Sequence, residues 1–276
     1  MKLIITLAVL AVSHAHIIRP ACDLISIQST IYQKEVLKEN VSDPYQMAID
    51  YNTNTLFFSY SAANPITEGD VFEQAYLNLK TNEFHIISGI IGGFAATVDN
   101  TNHKVYLGGR NGIYAFDNEA DKATHVNPNG YSIWQLFFKD KLYYTAYPQE
   151  RAYTFEGGNS IIVPELSDTM VQLVALDNDH NMYFSNSSGL FRLNKSDKLI
   201  VQLGEYTINS FTADINGNLY FSTPSGFYNI DNNKNVHQLV DVDDVFGLVV
   251  DGDNNFIYGS GDKIIRLTPT TKKHCF

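Results

Sequence analysis

Ala175-Leu176-Asp177-Asn178-Asp179-His180-Asn181-Met182-Tyr183-Phe184-Ser185 places an Asp/Asn-rich turn between two apolar strands, and the chain carries six copies of this pattern. The others run from Ala48-Ile49-Asp50 to Leu56-Phe57-Phe58-Ser59, from Thr97-Val98-Asp99 to Val105-Tyr106-Leu107 and from Gln135-Leu136-Phe137 to Leu142-Tyr143-Tyr144-Thr145. The last two run from Thr212-Ala213-Asp214 to Leu219-Tyr220-Phe221-Ser222 and from Val249-Val250-Asp251 to Phe256-Ile257-Tyr258. Their aromatic anchors, Phe57, Tyr106, Tyr143, Tyr183, Tyr220 and Tyr258, are spaced by 49, 37, 40, 37 and 38 residues. A period near 40 with strands on both sides of a turn is the signature of propeller blades.

Around the fourth copy, Met170–Leu176 reads as a buried strand, Met182–Ser185 as a second, Leu190–Leu193 as a third and Leu199–Leu203 as a fourth. The fifth copy repeats this with Phe211–Ala213, Leu219–Ser222, Phe227–Ile230 and Val236–Val240. The sixth has only three strands, Val245–Val250, Phe256–Tyr258 and Ile264–Leu267. The missing one is available before the first copy, at Ile31–Leu37. The expectation is an all-β, six-bladed β-propeller of four antiparallel strands per blade, the last closed by the N-terminal strand, which leaves no long exposed sheet edge.

Residues 1–15 read as a signal peptide: Lys2, the apolar run Leu3–Val12 and the small-x-small site Ser13-His14-Ala15. Residues 16–276 are then one propeller domain, secreted and soluble, since no later segment reaches the apolar length of a membrane span. The net charge of −11 argues against nucleic acid and anionic membrane as partners and favours a monomer. The 2 cysteines, Cys22 and Cys275, sit at opposite ends of the mature chain. In an oxidising compartment they predict one disulfide, which on the loop-entropy model contributes at most roughly 5 kcal/mol. Sequons at Asn40, Asn186 and Asn194 mark candidate glycan sites of a glycoprotein.

Five repeats share an Asp at the end of the inner strand: Asp50, Asp99, Asp177, Asp214 and Asp251. A carboxylate opening a tight turn accepts backbone N–H bonds, so these read as turn caps rather than metal ligands. Phe137 stands in this place in the third copy, which must turn differently.

In a propeller, the entries to the inner strands and the second-to-third-strand connections share one face around the channel mouth. The first blade's excess, around Ala62–Asp70, and a smaller one in the third, Tyr147-Pro148-Gln149-Glu150, both fall on that face. The inner-strand entries carry Tyr45, Phe94, Trp134, Phe211 and Phe246, and Tyr147, Arg110 and Arg151 lie in or beside the connections. A flat aromatic ligand bearing a carboxylate suits such a set, by stacking on rings and pairing with guanidinium.

No Gly-x-Ser-x-Gly elbow, His-Glu-x-x-His pair or phosphate-binding glycine loop is present, and the eight histidines are dispersed, so no catalytic residue, metal site or resident cofactor is assigned. Some six-bladed propellers are calcium-dependent lactonases or esterases, whose sites need converging carboxylate and amide oxygens. Here the polar residues at the inner-strand entries are Gln46, Gln172 and Asn209, and the acidic run Asp241, Asp243 and Asp244 reads as a solvated loop. A lactonase-like hydrolase and a protein-interaction propeller are the rival readings to a ligand carrier.

Taken whole, the chain resembles the ommochrome-binding proteins of moths and butterflies. The likeness spans the mature chain and rests on Cys22-Asp23 after the signal peptide, on Pro44–Tyr51 with Asn54–Tyr60, on Val105–Tyr114 and on Cys275. It implies an insect haemolymph carrier of ommochromes, tryptophan-derived phenoxazinone pigments that are planar, aromatic and carboxylate-bearing. The resemblance brings no short ligand-binding motif, so it assigns no binding residue.

Overall fold

The computed structural model describes residues 23–64, 69–127 and 130–271. The predicted signal peptide, Cys22 and Cys275 lie outside the described residues. An N-terminal hairpin of β1 (Leu24–Ile27) and β2 (Thr30–Glu39) precedes six blades. Blade one holds β3 (Ser42–Asp50), β4 (Thr55–Asn64), β5 (Gly69–Asn78) and β6 (Phe84–Ile87). Blade two holds β7 (Ala95–Asp99), β8 (Lys104–Gly109), β9 (Gly112–Asp117) and β10 (Lys122–Asn127). Blade three holds β11 (Ser132–Lys139), β12 (Lys141–Tyr147), β13 (Arg151–Glu156) and β14 (Asn159–Ile162). Blade four holds β15 (Leu173–Leu176), β16 (Met182–Asn186), β17 (Gly189–Leu193) and β18 (Ile200–Gly204). Blade five holds β19 (Ser210–Ala213), β20 (Leu219–Thr223), β21 (Gly226–Ile230) and β22 (Val236–Asp241). β23 (Val245–Val250), β24 (Phe256–Ser260) and β25 (Lys263–Pro269) begin the sixth.

Each blade is an antiparallel meander, and the inner strands β3, β7, β11, β15, β19 and β23 pack in that order around a closed ring. β2 completes the sixth blade beside β25, in register Lys34↔Leu267 and Glu35↔Arg266, as the strand count required. The Arg266 guanidinium donates to Glu35 Oε2 across this seam at 2.7 and 3.0 Å. The hairpin adds β1 as a fifth strand of this sheet, a segment that the reading of the repeats did not include.

The acidic turns explain why the repeat keeps its Asp. Asp177 Oδ1 accepts from the Asp179 and Asn181 amides, both at 2.9 Å, and Oδ2 accepts from Asn181 Nδ2 at 2.9 Å. Asp214 and Asp251 repeat the arrangement with Asn218 and Asn255, and Asp99 does so with Asn102. In blade three the register sets Phe137 opposite Tyr143, as Ala175 lies opposite Tyr183 and Thr212 opposite Tyr220, so Phe137 does not stand in the Asp's place as the repeat alignment suggests. Lys139 does, and β11 and β12 close through Lys139↔Lys141 around Asp140, whose φ is 58°.

Polar side chains stitch neighbouring blades together. Each inner strand has a sheet partner on one side only, so its other edge needs partners from elsewhere. Gln135, 1% exposed, donates Nε2 to Val174 O at 2.9 Å and accepts from Val174 N at 3.1 Å. Gln74 donates to Ala95 O at 2.8 Å and Asn209 to Val245 O at 2.6 Å.

Candidate functional site

The mouth of the ring is shaped by bulges in three inner strands. β3 slips register between Ser42 and Tyr45 and again between Tyr45 and Ala48, with Asp43 and Gln46 at φ 48° and 43°. β11 slips between Ile133 and Gln135, around Trp134, and β23 between Val245 and Leu248, around Phe246. A bulge breaks the alternation of the strand and re-aims one side chain, and bulges are common beside functional sites. Here they mark Tyr45, Trp134 and Phe246.

The rings form one continuous array. Phe246 meets Tyr45 at 5.0 Å between centroids, Tyr45 meets Phe94 at 5.6 Å, Phe94 meets Trp134 at 4.6 Å, and Trp134 meets Tyr147 at 5.7 Å. Phe72, from the long β4–β5 hairpin of the first insertion, packs edge-on against Phe94 at 4.4 Å. Phe94 is carried close to blade one because Gly93 has no Cβ: one built there would lie 2.5 Å from Gln74 Cγ. Burial, with the nearby carboxylates of Asp43 and Asp244, raises the Tyr45 phenol above its ordinary 10.0, so it stays protonated.

Tyr45, Phe72, Phe94, Trp134 and Tyr147 line a cavity of about 350 Å³, floored by Val171, Leu173 and Ile208. That volume lies in the range of small-molecule sites. Its polar lining includes Gln46, Gln172, Asn209 and Glu150. Trp134 and Tyr147 are 37% and 53% exposed and so present open ring faces. A second cavity of about 330 Å³ lies at the opposite end of the channel, bounded by Asp99, Asn100, Lys139, Asp214 and Asn216. Its lining also includes Tyr51, Phe137, Phe138 and Phe211, with the polar side chains of the turns around them.

Of the residues proposed from sequence, the structure brings Tyr45, Phe94, Trp134 and Tyr147 to the upper cavity, with Phe246 packed edge-on behind Tyr45. It does not bring Phe211 there. β19 pairs with β20 without a register slip, and Phe211 is buried against Phe221. The two arginines are also not in the cavity wall. Arg110 is exposed and lies against Gly92, and Arg151 Nη1 donates to the carbonyls of Glu150 and Thr169 at 3.2 and 3.3 Å. Among the lining residues absent from the sequence-proposed set are Phe72 and Glu150, the latter known from sequence only as part of the third-blade insertion. Asn40 is exposed in a turn, and Asn186 and Asn194 are half-buried at strand ends.

A calcium cage needs 6–8 oxygen ligands. At the upper cavity the one carboxylate among the described lining residues is Glu150. Among the described residues no three His, Cys, Asp or Glu side chains are grouped to hold a metal, so this set does not fit such a cage. No helix of the described residues is long and apolar enough to cross a membrane.

Fold and site together define a six-bladed propeller with an aromatic-lined cavity at its mouth. The chain matches no protein-family model. It is 37% identical to the ommochrome-binding protein of Manduca sexta over 276 residues, covering 98% of each chain, and therefore belongs to the ommochrome-binding protein family. In fold it is similar to a gluconolactonase from Xanthomonas campestris (TM-score 0.64, 12% identity, 88% of this chain and 91% of that one). It is likewise similar to regucalcin, a calcium-binding protein from Agrobacterium tumefaciens (TM-score 0.67, 12% identity, 86% and 94%). At such identities the likeness is one of fold alone.

Proposed function

We propose that this protein is a secreted, monomeric, non-enzymatic carrier that holds one planar aromatic pigment, an ommochrome or a related tryptophan metabolite, in the upper cavity. The observation that carries this reading is the unbroken array of rings from Phe246 to Tyr147 around an apolar-floored cavity, in a chain whose relative is named for ommochrome binding. Flat ligands gain most from ring faces that are already in place, because little side-chain freedom is lost on binding. The open faces of Trp134 and Tyr147 supply this, and Phe72 and Phe94 hold the wall behind them.

The competing reading, a calcium-dependent lactonase, has the fold in its favour and lacks the converging carboxylates. One experiment separates the two. Purified protein is dialysed against an ommochrome pigment, and in parallel assayed for lactone hydrolysis with and without calcium. Retention of the visible chromophore near one equivalent without turnover supports the carrier. Calcium-dependent turnover with no pigment retained would replace it.

A further inference from the structure

The one charged group in the wall of the upper cavity, among the described residues, is Glu150. It sits in the connection that lengthens blade three, and the surrounding chain fixes its backbone. Its N–H donates to Ala146 O at 2.8 Å, its carbonyl accepts from Val171 N at 2.9 Å and from Arg151 Nη1 at 3.2 Å, and its φ is 48°. Arg151 therefore spends its guanidinium on holding this turn.

The carboxylate itself is incompletely satisfied. Oε1 accepts a long bond of 3.3 Å from Gln172 Nε2, while Oε2 is buried and has no hydrogen-bond partner. No Lys, Arg or His of the described residues forms an ion pair with it. A buried carboxylate oxygen left unpaired is costly, and a ligand that donates to it recovers that cost. The surroundings favour positive charge for two further reasons. The faces of Trp134, Tyr147, Phe94 and Tyr45 attract cations, and the negative charges of Asp43 and Asp244 act on the Tyr45 hydroxyl. An anion would find no guanidinium in this wall.

We propose that the cavity contains a cation subsite. It selects planar aromatics that carry a protonated nitrogen, an ammonium or protonated amine donating to the Glu150 carboxylate, whose side chain turns to present it, while the ring system lies on Trp134. This rests on the reading of the cavity as the ligand site and adds which functional group of the ligand is read. A tryptophan-derived molecule that keeps the ammonium of its parent amino acid meets the requirement, and its carboxylate is then directed to solvent.

Three tricyclic probes of matched shape test this by calorimetry near neutral pH: acridine (neutral), 9-aminoacridine (cationic) and acridine-9-carboxylate (anionic). The expected order is cation, neutral, anion, with 9-aminoacridine bound about tenfold or more tightly than acridine, the scale of one charge-assisted hydrogen bond. Glu150→Gln should abolish this preference, bringing 9-aminoacridine to within about twofold of acridine in the same variant. Equal affinity for cation and neutral probe in the native protein, or a preference that survives Glu150→Gln, overturns the cation subsite. If acridine binding is itself unaffected by Trp134→Ala, the cavity assignment fails, and the two failures are thereby distinguished.

Discussion

Replacing Trp134 with Ala removes the largest ring of the array, and the structure sets the size of the effect. Trp134 keeps 37% of its surface uncovered. For a tryptophan with roughly 250 Å² to bury, that leaves roughly 90 Å² for a ligand, worth about 2 kcal/mol at 25 cal/mol per Å². Ring-on-ring geometry adds about 1 kcal/mol, so the total near 3 kcal/mol corresponds to roughly 100-fold in Kd. The assay is equilibrium dialysis of an ommochrome pigment against native protein and Trp134→Ala, with urea unfolding run on both. The variant should remain folded, because Trp134 lies at the mouth and contacts Phe94 and Tyr147 from one side of the array. A folded variant whose affinity stays within about threefold of native would refute the argument, since it would mean that the ligand gains none of this area.

Three further outcomes follow from the scaffold. Gln135→Leu leaves the Val174 N–H and C=O unpaired at the junction of blades three and four, and should lower the unfolding free energy by about 3 kcal/mol; a loss below about 1 kcal/mol in urea would contradict the stitching role. At Asp177, burial opposes the charge, but hydrogen bonds from Asn181 and Lys234 outweigh it and hold the carboxyl below its ordinary 3.8. Its stabilisation is therefore present above that value and lost as pH falls through the folded pKa, so Asp177→Asn should flatten the acid limb of the stability curve measured by thermal unfolding, and an unchanged limb would contradict the assignment. Lys234 is opposed by its own burial but raised above 10.5 by Asp179 and Asp177, so its contribution is lost only as pH rises beyond that value. Mass mapping without reduction should recover the peptides of Cys22 and Cys275 joined; two free thiols would remove the predicted bridge.

The ring of six blades and its closure were legible because the period leaves few alternatives: three strands at one end and a spare strand at the other can meet in only one way. The capped turns were legible for a local reason, since each Asp and the Asn it binds lie three or four residues apart. β1 was not, because Leu24–Ile27 is too short to show a pattern and owes its place to pairing with β2. The site was legible only in part. Tyr45 and Phe94 each lie five residues before their repeat's Asp and reach the mouth, whereas Phe211 lies three residues before Asp214 and faces Phe221 and the lower cavity. Register slips depend on packing between blades, which no single repeat encodes. Phe72 needed the actual pairing of the first insertion, Ser61↔Phe72, to be placed. An acidic residue in a surface connection reads as solvated, so Glu150 could be recognised only once the fold had buried its Oε2.

The most direct test of the central claim is a crystal structure of the protein with an ommochrome pigment bound. The account predicts the pigment's ring system in the upper cavity, lying against Trp134 with Phe94 behind it. Density for the pigment in the lower cavity among Asp99, Asn100 and Asp214, or on the outer surface of a blade, would contradict it.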